Sequence, residues 1–110
     1  MNIEKKLNEL EEHIENNFDE TQIEKKVFDL ISHLETVWDI LRLASIVRWA
    51  PYENEDDAIE VALNIADRAI EKAVESNNKG ELLIIIEELE MSMELDDRAN
   101  EVREIVKGLD

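Results

Sequence analysis

The chain has no cysteine, which excludes a disulfide framework and thiolate metal sites and leaves the redox compartment open. One proline and two glycines supply few turn signals, and strand-type alternation is scarce, so the expected class is all-α. No apolar run approaches membrane-spanning length, and the opening MNIEKKLNELEEH lacks a signal-peptide pattern. The expected location is cytoplasmic, with no membrane contact. Clustered lysine and arginine are missing as well, which argues against direct nucleic-acid binding. So are a glycine-rich phosphate cradle and a G-x-S-x-G elbow, which leaves little support for catalysis. The expectation is a protein that is not an enzyme and carries no cofactor.

Acid is what the sequence has in excess. The formal charge is −17; residues 1–50 hold 11 acids and 6 bases, and residues 51–110 hold 18 and 6. Such a field attracts a basic protein surface and speeds encounter with it, although it also serves solubility alone. A hydrophobic content of 44% is enough for a core, and 110 residues suit a single domain, residues 1–110.

The spacing predicts an antiparallel helical bundle of four to five helices with one long central helix over about 20–50. Ile23, Val27, Leu30, Leu34, Val37, Leu41 and Ala44 recur at alternating steps of four and three, which keeps one stripe facing a partner. Asp19 is the expected N-cap, with Gln22 as the second half of a capping box, and Pro51 ends the helix. At 1.5 Å per residue this helix is roughly 46 Å long. From Val37 onward apolar residues go nearly all round it, so its second half is the expected centre of the core.

Before it, Ile3, Leu7, Leu10 and Ile14 mark a helix from about Asn2 to Asn17 that folds back antiparallel on the first half of the long one. After the loop 50–57, with Asn54 or Asp56 as cap, a helix to about Ser76 presents Ala58, Ala62, Ile65, Ala66, Ala69 and Ala73. Asn77–Gly80 reads as a helix stop with Gly80 in the left-handed region. Leu82, Ile85, Ile86, Leu89 and Met93 form the next core stripe. The last stripe, Leu95, Ala99, Val102, Val106 and Leu109, requires a break between Ser92 and Asp97, capped by Asp96 or Asp97; one unbroken helix over 81–108 is the alternative. No internal repeat stands out, and the signatures of common helical-repeat families are absent.

The candidate sites follow from this layout. Glu9/His13 and Asp29/His33 are spaced four apart, as weak metal chelates are, but ordinary helix-face pairing accounts for them, and no metal site is expected. A calcium loop built on Gly80 fails, because the position needing a bidentate acid is Ile86. Arg42 and Arg48 lie in the apolar half of the long helix and are buried ion-pair candidates. Partner binding is assigned to two groups. Ile84, Met91 and Leu95, bordered by Glu87, Glu88 and Glu94, form an apolar patch ringed by carboxylates. Trp49 and Tyr52 flank Pro51 beside Glu53, Glu55, Asp56 and Asp57.

The functional expectation is a non-catalytic acidic protein that binds another protein. An inhibitor, immunity or antitoxin-type protein, a DNA mimic occupying a basic nucleic-acid-binding surface, fits charge and size. The alternatives are a homodimeric structural subunit whose long helices pair across a two-fold axis, and a designed or orphan bundle with no partner.

Overall fold

The computed structural model describes residues 2–109. Six α-helices follow one another: α1 (Ile3–Asn16), α2 (Glu20–Ile31), α3 (Val37–Arg48), α4 (Glu55–Glu75), α5 (Lys79–Glu87) and α6 (Asp96–Gly108). A single π-helical turn, Glu88–Ser92, extends α5. No strand occurs among the described residues.

The long helix over 20–50 does not exist. It is two helices, α2 and α3, separated at 32–36. Ser32 Oγ bonds back to the Asp29 carbonyl at 3.2 Å, a competition with the helical ladder that loosens the end of α2. Thr36 then turns extended, and its hydroxyl accepts the Asp39 amide at 3.2 Å, starting a new helix. The stripe survives the break: Ile23, Val27, Leu30, Leu34, Val37, Leu41 and Ala44 are all buried. Periodicity reported which side is buried, while the cap at Thr36 decided where the axis turns. An unbroken helix would have matched the whole long dimension of the molecule, which measures 46 × 31 × 18 Å. The radius of gyration, 13.8 Å, is close to the value of about 13 Å for a compact chain of this size.

The most extensive packing joins α3 to α4. Ala58, Ala62, Ala66, Ala69 and Ala73 are almost fully buried, and their small side chains let the two axes approach closely. Against them lie Val37, Ile40, Leu41, Leu43, Ala44 and Val47, so the apolar half of the predicted long helix contributes to the core on one side, but it is not buried all round: Trp38 and Trp49 are 59% and 52% exposed. Asn54 caps α4 by accepting the Asp56 amide, with Glu55, Asp56 and Asp57 in the favourable first turn. α1 packs on α2 and also on α3, where its Asn8 accepts from Arg42.

The stop after α4 is made by a different residue from the one expected. Asn77, not Gly80, takes the left-handed conformation (φ 51°). The amides of Asn78 and Asn77 return to the carbonyls of Ala73 and Val74 at 2.9 and 3.0 Å, closing a Schellman motif. Asparagine tolerates that region because its short amide bonds locally. Gly80 lies inside α5, where an added Cβ would meet the capping oxygen of Asn78 at 3.3 Å.

The expected break before α6 is present, without the expected aspartate cap. Met93 N bonds to Glu88 O and Leu95 N to Leu89 O, widening the last turn, and Glu94 reverses the chain at φ 55°. Leu95, buried, occupies the cap position with no side-chain bond, and Asp96 and Asp97 sit in the first turn of α6.

Candidate functional site

The widened turn leaves the Ser92 and Met93 carbonyls without helical partners, as every helix C-terminus does. The C-terminus of α3 supplies donors. Arg48, only 5% exposed, places Nε on the Met93 carbonyl at 2.8 Å and Nη2 on a Glu55 carboxylate oxygen at 3.1 Å. Its charge therefore lies at two helix C-termini, where the backbone dipoles favour a cation. Trp49 donates Nε1 to the Ser92 carbonyl at 2.6 Å, and the Arg48 guanidinium lies 4.3 Å from its ring centroid. Arg42 differs: it is half-buried and donates to the neutral amide of Asn8, not to an acid.

The predicted patch on α5 is divided by the same turn. Ile84 is half-buried against the core and Leu95 is buried, because α6 packs across this side and the π turn rotates Leu95 inward. Met91 remains outside at 79% exposure. Leu83, outside the core stripe of Leu82, Ile85 and Ile86 but not assigned to the patch, is also exposed. Glu87 and Glu94 are exposed and Glu88 half-buried. Glu90 is neutralised by Arg103, and Asp67 by Arg98 at 2.7 Å. Glu53, Glu87, Glu88 and Glu94 pair with no basic side chain among the described residues.

In the other group Trp49 is half-exposed, while Tyr52 turns inward against Phe18, with ring centroids 5.1 Å apart. Glu53, Glu55, Asp56 and Asp57 are exposed. Tyr52 is thus a buried phenol and not a surface anchor. Its pKa is pushed up to about 12 by burial, reinforced by Glu24, Glu20 and Asp57.

A further groove, about 420 Å³, lies between α1 and α2. Lys6, Glu9, Leu10 and His13 line one wall and Lys26, Asp29, Leu30 and His33 the other. Each residue of the second set stands 20 positions after its counterpart, and this exposes a repeat that sequence inspection missed. Ile3-Glu4-Lys5-Lys6 recurs as Ile23-Glu24-Lys25-Lys26, and Leu10, His13, Glu15 and Asp19 recur as Leu30, His33, Glu35 and Asp39. The copies diverge where their surroundings do: Asn8 bonds Arg42, whereas its counterpart Phe28 is 74% exposed. The Glu9/His13 and Asp29/His33 pairs meet in this groove, yet among the described residues no three histidine or carboxylate side chains converge to hold a metal ion. His13 Nε2 is shut from solvent there without a hydrogen-bond partner.

No helix among the described residues is long and apolar enough to cross a membrane. Comparison with models of protein families, with curated proteins and with solved structures found no match.

Proposed function

We propose that the protein is a non-catalytic, cytoplasmic binder of a basic protein surface, of the inhibitor, immunity or antitoxin kind, acting as a DNA mimic at its target's nucleic-acid-binding face. The observation that carries this reading is the pinned Trp49. A half-exposed indole is held by Ser92 and Arg48 at the same turn as exposed Met91, with unpaired Glu53, Glu87 and Glu94 on the segments that meet there. A fixed aromatic and a flexible thioether provide apolar contact, and unpaired carboxylates draw a cationic rim. Holding the indole before binding lowers the ordering cost of docking.

The test is affinity capture followed by kinetics. The captured partner should be basic, duplex DNA should compete for it, and its association rate should fall steeply between low and physiological salt. Trp49→Ala and Met91→Ala should each speed dissociation about tenfold, as anchor truncations do. A partner whose association ignores salt, or whose dissociation ignores both substitutions, overturns the proposal.

A homodimer is the second reading, favoured by one feature. Phe28 is exposed beside Val27, Ile31, Val61 and Ile65 in a groove between α2 and α4. The stripe of α3 from Val37 to Val47 gives it no support, since it is covered within one chain, although Trp38 on the same helix is exposed. Sedimentation at two concentrations decides it, with Phe28→Ser as the dissociating variant.

A further inference from the structure

Although the chain carries a net charge of −17, the groove between α1 and α2 holds more bases than acids. Lys6, Lys26, His13 and His33 line it against Glu9 and Asp29. Four other hollows on the surface have as many acids as bases or more. The one between α4 and α6, for example, sets Asp56, Glu60, Asp67 and Glu101 against Arg98.

The bases of the groove are largely unengaged. Lys6 meets Glu9 at 3.8 Å with both side chains 51% exposed, a contact worth little in water. Lys26, His13 and His33 form no ion pair with an acid among the described residues, and Asp29 is equally unpaired. The lining is completed by Leu10 and Leu30, both buried, which give the groove an apolar floor. Its volume, about 420 Å³, lies within the range of about 300–1,000 Å³ found for small-molecule sites.

The chemistry of the lining selects the ligand. Ammonium groups and imidazoles supply N–H donors for an oxyanion. A metal ion is not held, since no three acidic or histidine side chains among the described residues converge. A bare inorganic anion would use the bases and leave the leucines without contact.

We propose that this groove binds a small amphipathic anion, a carboxylate or a phosphate ester on an aromatic or short aliphatic body. The oxyanion takes charge-assisted hydrogen bonds from Lys26 and the imidazoles, and the apolar body lies on Leu10 and Leu30. The site uses neither Trp49 nor Met91 and does not depend on the basic-partner reading. His33 also borders Glu35 and Asp39 on the α3 side. Among the side-chain types facing the groove and this rim, only imidazole ordinarily changes charge between about pH 5.5 and pH 8. Affinity for an anion therefore rises as pH falls across that interval.

The probes are phenylacetate and phenyl phosphate, with inorganic phosphate and benzylamine as controls. Salt is held at about 0.15 M, where the overall negative field is screened beyond about 8 Å. The chain's two histidines give two imidazole signals by NMR. At least one aromatic anion should move both, and the tighter of the two tells carboxylate from phosphate. Inorganic phosphate and benzylamine should bind about tenfold more weakly or less. By calorimetry, phenylacetate should bind several-fold more tightly at the acid end of the interval. His13→Gln with His33→Gln should remove that pH dependence, and Lys26→Gln should lower affinity about threefold or more. Lys107→Gln, on α6, should change nothing, and circular dichroism confirms that each variant is folded. Imidazole signals that ignore both anions, affinity that ignores the groove substitutions, or equal binding of benzylamine or inorganic phosphate overturns the proposal.

Discussion

The Trp49 indole donates to the Ser92 carbonyl at 2.6 Å across 43 residues of sequence. That bond joins the C-terminal ends of two helices, at the point where a widened turn has left carbonyl oxygens free. Trp49→Phe keeps the ring and removes the donor, and should cost about 1 kcal/mol of stability. Thermal unfolding should show this as a fall in Tm of about 4–8 °C. An unchanged Tm would mean that water replaces the indole without loss.

Arg48 and its neighbours should show a definite order of sensitivity. Arg48→Lys replaces a fork by a point charge, so the Met93 carbonyl and Glu55 compete for one ammonium; the expected loss is about 2 kcal/mol. Glu55→Gln should cost about 0.5 kcal/mol or less, because the Glu55 side chain is 70% exposed and the Met93 carbonyl still accepts from Arg48. Urea denaturation of the two variants checks this; the reverse order would place the stabilisation in the ion pair.

Thr36 starts α3, and Thr36→Ala should cost about 1 kcal/mol, whereas Thr36→Ser should be nearly silent. Hydrogen exchange should accelerate at the amides of 37–40 first. If Thr36→Ala instead raised stability by joining α2 to α3, the cap would not be what separates them.

Tyr52 ties stability to alkaline pH. A phenol ionising near 10 when unfolded and at about 12 when folded keeps its proton longer in the native state. The native form then binds more protons, and stability falls as pH rises from about 10 to about 12. The contribution is complete below pH 10 and amounts to roughly 2–3 kcal/mol. Tyr52→Phe should flatten this part of the stability profile, as measured by denaturant midpoints across the range.

Glu94 holds φ 55°, a conformation that costs a side chain about 1 kcal/mol and glycine nothing. Glu94→Gly should therefore raise stability by about 0.5 kcal/mol at most after the extra chain entropy is counted. By removing an unpaired carboxylate beside Met91, it should also slow association with a basic partner.

Where the sequence was legible, one physical signal acted alone. The alanine face of α4, the stripe of α1 and the Asn54 cap follow from period and capping chemistry, and the break before α6 from period alone. Failures came where two signals overlapped. The stripe from Ile23 to Ala44 keeps its period through the bend, and only Thr36-Val37-Trp38-Asp39, a capping pattern, betrays the new start. Gly80 drew the left-handed turn that Asn77 makes. Leu95 fits both the last stripe and the patch, and Tyr52 lies beside four acids; packing of α6 on the π turn and contact with Phe18 place both inside. The 20-residue recurrence is weak in the letters because the buried and exposed positions between the matches differ, and it is plain in the groove, where matched residues line both walls.

That recurrence makes the first two helices near-copies joined by the short stretch 17–19. The two walls of the groove are therefore one sequence used twice, each contributing a lysine, an acid, a leucine and a histidine. A single amphipathic segment, written twice into one chain, supplies both sides of the same surface.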